Sequence, residues 1–154
     1  MRAWVGGTAA AVIAVVSLAA PPVARAQVEP VAMMLAGAVT SATDATPVQL
    51  DADVYIPEVT PAPAVLLAHG FGGSKEGVAE EAQLLADAGY VVLAYTARGF
   101  GESTGLISMN APEFEVADAR ALIDYLATRT EVTSDAAGDP RVGFAGGSYG
   151  GALA

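Results

Sequence analysis

The chain has 154 residues, 53% of them hydrophobic, with 17 acidic against 7 basic side chains and a formal charge of −10. That length allows one domain with a real core, and the acid excess argues against nucleic acid and anionic membrane surfaces as partners. Cysteine is absent, which excludes disulfides, thiolate metal sites, thiol catalysis and a lipid-modified cysteine.

Residues 1–26 read as a secretory signal peptide. Arg2 supplies a minimal positive start, residues 5–20 are an apolar run, Pro21-Pro22 breaks it, and Ala24-Arg25-Ala26 is an A-x-A cleavage site. An uncleaved anchor is the alternative, but the run is short for a span and is interrupted by Gly6, Gly7 and Thr8. Cleavage removes Arg2 and Arg25 and no acid, taking the net charge from −10 to −12. The expectation is a secreted protein with a solvated acidic surface and no stable membrane association.

Residues 27–47 read as an N-terminal arm, with an edge strand as one option. Residues 48–57 alternate apolar and polar, the pattern of a strand with one wet face. Pro57, Pro61 and Pro63 then mark a loop. Ala64-Val65-Leu66-Leu67-Ala68 is a continuous apolar run, as for a strand covered on both faces. His69-Gly70-Phe71-Gly72-Gly73 is a glycine-rich turn, after which Ser74 is placed to cap a helix reaching about Ala88 and ended by Gly89. Val78, Ala82 and Leu85 share one face of that helix.

Val91-Val92-Leu93-Ala94-Tyr95 is a second buried strand, followed by a loop at 98–105. Asn110, three residues before Glu113, has the form of a capping box with Pro112 in the first turn. The next helix sets Val116, Ala119, Ile123 and Leu126 on one face. A polar turn at 133–140 leads to a third buried strand, Arg141-Val142-Gly143-Phe144-Ala145. Buried strands alternating with amphipathic helices predict an α/β fold, a mostly parallel sheet of right-handed βαβ units flanked by helices. Ligands in such sheets bind at the carboxyl ends of strands, where both glycine-rich turns lie.

Gly146-Gly147-Ser148-Tyr149-Gly150 reads G-x-S-x-G between a strand and small residues able to open a helix. In a nucleophile elbow the serine occupies a tight strand-to-helix turn that lifts its hydroxyl into a cleft. Ser148 is therefore the candidate nucleophile, and the backbone N–H of Tyr149 a candidate oxyanion donor. His69, the only histidine, has two readings. It is either a triad base or a turn-shaping residue that lets the backbone N–H of Phe71 face the oxyanion, and the second suits its place before a glycine turn. The bland alternative is that these glycines merely permit a tight turn. Asp118 and Asp124 read as solvated on the outer helix face, Asp135 and Asp139 as turn residues, and Lys75 and Glu76 as first-turn surface. No alternation of oxygen ligands suggests a calcium loop, and no metal or organic cofactor is expected.

Several stretches together resemble the α/β-hydrolase superfamily. They are residues 69–75 and 97–105, the helix end Leu122-Ile123-Asp124-Tyr125-Leu126, and Asp139-Pro140-Arg141-Val142-Gly143 leading into Gly147-Ser148-Tyr149-Gly150-Gly151. They look most like its Xaa-Pro dipeptidyl-peptidase and cocaine-esterase-like branch, the S15-type hydrolases. The likeness covers residues 48–154, the N-terminal portion of such a domain. It implies Ser148 as nucleophile, the N–H groups of Tyr149 and Phe71 as oxyanion donors, and a small ester or peptide as substrate. Two departures stand out. Thr96 occupies a position where many relatives carry Asp, and Phe71 lacks the hydroxyl that some esterases of this branch place in the oxyanion hole.

In that family the triad Asp and His follow the elbow, and this chain has neither after Ser148. The expectation is the N-terminal portion of a secreted serine hydrolase, inactive and poorly stable by itself because part of its sheet would lie open. The alternative is a catalytically inactive truncated or split-gene polypeptide, or a non-enzymatic binding partner retaining half the fold.

Overall fold

The computed structural model describes residues 27–153; the signal peptide expected at 1–26 lies outside the described residues. Strands β1 (Val31–Ser41) and β2 (Asp44–Tyr55) form a hairpin. Then come β3 (Ala64–Ala68), a 3-10 turn (Lys75–Val78), α1 (Ala79–Asp87) and β4 (Val91–Tyr95). After α2 (Glu115–Ala127), a short hairpin of β5 (Ser134–Ala136) and β6 (Asp139–Pro140) leads into β7 (Val142–Gly146) and a 3-10 turn (Gly151–Leu153).

The main sheet runs β1-β2-β4-β3-β7. β4, β3 and β7 are parallel, while β2 is antiparallel to β4 and β1 to β2. The α/β architecture is thus as the sequence pattern requires, with an antiparallel half added by β1 and β2. The residues read as an arm contribute β1 and the start of β2, so the second strand begins at Asp44 rather than Val48.

Burial follows the side-chain alternation of a pleated sheet. On β2, Val48, Leu50, Ala52 and Val54 are fully buried, and Gln49 between them is exposed. β3 and β4, in the middle of the sheet, are buried along their whole length. One sheet face packs Leu66, Leu93 and Tyr95 with the β2 residues against Ala119, Leu122 and Leu126 of α2. The opposite face packs Leu67, Val92 and Ala94 against Ala82 and Ala86 of α1, with Val78 and Leu85 partly buried beside them. Each buried leucine contributes about 2 kcal/mol to this packing. Among the described residues no helix is long and apolar enough to cross a membrane.

α2 departs from its expected form at two points. It begins at Glu115, with Phe114 at the N-cap and no side-chain cap bond, so Asn110 and Glu113 do not form a capping box. Asn110 adopts φ 62° and bonds elsewhere. The buried face also carries charge. Asp118, expected in solvent, is buried because Arg98 reaches it from the loop after β4, whereas Asp124 is exposed.

Arg98 Nε and Nη2 donate to Asp118 Oδ2 and Oδ1 at 2.6 and 2.7 Å. The Arg98 side chain is fully buried; its Nη1 also donates to Val39 O at 3.2 Å, and its Cζ lies 5.1 Å from the centre of the Phe114 ring. Asp118 Oδ1 also accepts from Ala38 N–H at 2.7 Å. A forked, bidentate pair of this kind repays the desolvation of both ions only while both are present. Arg98→Met should therefore destabilise the fold by about 3–5 kcal/mol by stranding a buried carboxylate. The double variant Arg98→Met/Asp118→Leu should cost less than the sum of the two single changes, measured by denaturant unfolding of the native protein.

Candidate active site

β3, β4 and β7 end level with one another, since Ala68 pairs with both Tyr95 and Gly146. The two glycine turns therefore leave the same rim of the sheet side by side. Ser148 sits directly after β7 at φ 53°, a left-handed conformation rare for a residue with a Cβ and costing about 1–2 kcal/mol. Gly150 N–H to Gly147 O (3.0 Å) and Ala152 N–H to Ser148 O (3.1 Å) close this turn. Ser148 is exposed.

Backbone contact explains the glycines on either side. A Cβ on Gly150 would meet Ala68 O at 2.6 Å and His69 O at 2.7 Å, and one on Gly146 would meet Ala68 O at 2.8 Å. The elbow can press against the end of β3 only if both positions lack side chains. A Cβ on Gly147 would meet nothing within 4 Å.

The facing turn is organised by His69, which is buried. Its Nε2 accepts the Ala97 N–H at 2.9 Å, so its Nδ1 carries the proton and donates to Gly70 O at 2.7 Å. Both ring nitrogens are spent on backbone, and the ring meets Phe100 edge-on at 5.3 Å. His69 thus shapes the turn. Gly73 N–H closes it onto Gly70 O at 3.0 Å, leaving the Phe71 amide out of the closing bond.

Three rings join the turns: Phe71 to Phe100 at 5.3 Å, Phe71 to Tyr149 at 5.8 Å, and Phe100 to Tyr149 at 5.7 Å, all edge-to-face. Such pairs each add about 0.5–1.5 kcal/mol beyond area burial. Phe71 is 61% exposed while Tyr149 is buried. Tyr149 donates its hydroxyl to Glu115 Oε1 at 3.2 Å, and burial, reinforced by that carboxylate, pushes its phenol well above the ordinary tyrosine value.

Lys75, read from sequence as surface, is buried against β2. Its Nζ lies 2.9 Å from Asp51 Oδ1 and 2.7 Å from Asp53 Oδ1. The two aspartates are i and i+2 on the wet face of β2, so they converge on one cation. Thr96, the departure from the family pattern, accepts the Lys75 N–H at 3.1 Å and is fully buried. Sequence reasoning missed this cluster, as it missed Phe100 and Glu115. The i, i+2 carboxylates were the one local signal for it. Among the described residues no three His, Asp or Glu side chains converge as a metal site.

The sequence profile of the X-Pro dipeptidyl-peptidase (S15) family matches residues 44–154. The chain belongs to that family. No curated protein matches it. Among solved structures it is similar to a hypothetical protein from Pseudomonas aeruginosa, at 28% identity and TM-score 0.60, covering 78% of this chain and 35% of that one. It is also similar to an α/β serine hydrolase without a lid from Xanthomonas campestris, at 25% identity and TM-score 0.58, covering 81% of this chain and 53% of that one. An esterase from Pyrococcus furiosus shares the fold at 21% identity and TM-score 0.64, with 82% of this chain and 45% of that one covered. The chain thus spans between about a third and about a half of the length of these structures.

Two outcomes test this geometry. Gly150→Ala should destabilise the native protein by several degrees of thermal midpoint, whereas Gly147→Ala should leave it near wild type, because only the first drives a Cβ into backbone. For Lys75, burial lowers the ammonium's pKa, but its hydrogen bonds to Asp53 and Asp51 and the attraction of their charges outweigh it, so the net shift is upward from 10.5. A raised folded value means that this stabilisation is complete below pH 10.5 and is lost as pH rises through the higher folded value. Thermal melts should therefore fall more steeply above that pH in the wild type than in Lys75→Met.

Proposed function

We propose that this chain is part of a secreted serine hydrolase in which Ser148 attacks an ester or peptide carbonyl and forms an acyl-enzyme. The observation that carries the reading is Ser148 at φ 53°, exposed on the elbow beside the His69 turn, in a chain of the S15 family. As the Ser148 Oγ bonds to the carbonyl carbon its hydroxyl proton passes to a general base, which later protonates the leaving group, and negative charge develops on the carbonyl oxygen. The N–H groups of Tyr149 and Phe71 are the proposed donors to it, since preorganised amides stabilise that charge without rearrangement. The tetrahedral intermediate then collapses by expelling the alcohol or amine, which takes a proton as it leaves. Water repeats the addition on the acyl-enzyme and frees Ser148. This route needs no metal or organic cofactor. Secretion is supported by the leader features at 1–26.

The general base in this scheme is not His69, whose two nitrogens are committed to Gly70 and Ala97. In this scheme a group other than His69 takes the Ser148 proton and passes it to the leaving group. The same commitment favours a second reading, in which the 154 residues alone are non-catalytic, either as half of a hydrolase completed by another polypeptide or as a binding partner.

A fluorophosphonate probe applied to the native protein, with the tagged peptide mapped, separates the readings. The expected result is a tag on Ser148 that disappears in Ser148→Ala, with hydrolysis of p-nitrophenyl acetate falling by about 10⁴-fold or more, as for loss of a triad nucleophile. Undiminished labelling of Ser148→Ala would remove Ser148 from the role. An unlabelled wild type would favour the second reading.

A further inference from the structure

We infer that Asn110 and Glu115 are positioning residues for Tyr149, clamping it by its carbonyl and its hydroxyl so that its N–H is held toward the oxyanion. This rests on the hydrolase reading above. Asn110 Nδ2 donates to Tyr149 O at 2.9 Å across 39 residues of sequence, and the Tyr149 hydroxyl donates to Glu115 Oε1 at 3.2 Å across 34. Neither bond has anything to do with starting α2, the use that local sequence suggests for Asn110.

The loop is built for this task. Met109 and Asn110 both adopt positive φ, 54° and 62°, a strain that persists only where surrounding contacts impose it. Glu115 is buried and also accepts from Ser108 N–H and Ala111 N–H (3.0 Å), which fixes the carboxylate that receives the tyrosine. Tyr149 O can only accept, so it fixes the Asn110 amide with Nδ2 toward the elbow. Asn110 Oδ1 is buried with no partner among the described residues, so the side chain serves through its donor.

The consequence for Tyr149 is specific. The peptide plane between Tyr149 and Gly150 is bonded at both ends, its C=O to Asn110 and its N–H to Gly147 O. The ring is held by Glu115, Phe71 and Phe100. With the plane after Cα and the side chain both fixed, the Tyr149 nitrogen is fixed as well, and the plane that carries its N–H is held at its other end by the Ala152 N–H bonded to Ser148 O at 3.1 Å. The G-x-S-x-G sequence alone does not supply that restraint.

The test compares fluorophosphonate labelling rates and p-nitrophenyl acetate kinetics in the native full-length protein, in Asn110→Asp and in Tyr149→Phe. Asn110→Asp is isosteric and loses the donor; Tyr149→Phe keeps the ring and loses only the hydroxyl. Removing an oxyanion donor outright costs about 10²–10³ in kcat, so misplacing one should slow labelling and lower kcat by about tenfold, with KM unchanged. Wild-type rates in both variants would overturn the inference, as would a rise in KM with kcat unchanged. Tyr149→Phe decides the matter if Asn110→Asp does not fold. A wild type that takes no label would remove the hydrolase reading and the clamp with it, whereas a labelled wild type with unaffected variants removes the clamp alone.

Discussion

The buried Arg98–Asp118 pair is the interaction on which most of this structure depends. A guanidinium with no exposed surface is tolerable only when it is paired and hydrogen-bonded, and here the partners come from distant parts of the chain. Asp118 belongs to α2, Val39 to the edge strand β1, and Phe114 to the approach to α2. One side chain thereby ties the loop after β4 to the helix and strand packed over it. Gly37 lies so close to Asp118 that a Cβ there would meet Oδ1 at 2.5 Å, so β1 is drawn directly onto the ion pair.

The same loop reaches the rim of the sheet. Two residues beyond Arg98, Phe100 stands between His69, Phe71 and Tyr149 and touches all three rings. The loop is further laced to β2, with Ser103 Oγ donating to Thr96 O at 2.6 Å and accepting the Asp51 N–H at 2.9 Å. A charge buried in one face of the domain thus sets the position of an aromatic ring between the two turns at its edge. Lys75 does a parallel service from the other side, anchoring the residues after the His69 turn to β2 through Asp51 and Asp53.

At the rim itself, backbone rather than side chains makes the arrangement. The elbow and the His69 turn meet main chain to main chain, and the space between them admits only glycine at 146 and 150. Ser148 is held in a conformation it would not choose alone, and the packing of the two turns supplies the restraint. Positive φ at Ser148, and at Asn110 bonded to the next residue of the elbow, is strain that persists only where surrounding contacts impose it. The S15 family match over residues 44–154 gives that geometry its chemical setting.

Periodicity and motif made much of this fold legible in the sequence. Alternation named β2, continuous apolar runs named β3 and β4, and the G-x-S-x-G stretch placed an elbow after β7, because each signal reports on neighbours a few residues away. The buried face of α2 shows where that logic ends. Counting apolar residues points to Val116, Ala119, Ile123 and Leu126, whereas the helix is turned to bury Glu115, Asp118, Ala119, Leu122 and Leu126. Charged residues count as solvated in any local pattern, and Arg98 and Tyr149, which make their burial possible, lie 20 and 34 residues away. Lys75 and Asn110 escaped for the same reason. The sequence by itself determined the strands β3, β4 and β7, the body of β2, the two helices and where the chain must bend sharply. Only the tertiary structure decided which charges are inside, since a buried ion's fate is set by partners that no local spacing encodes.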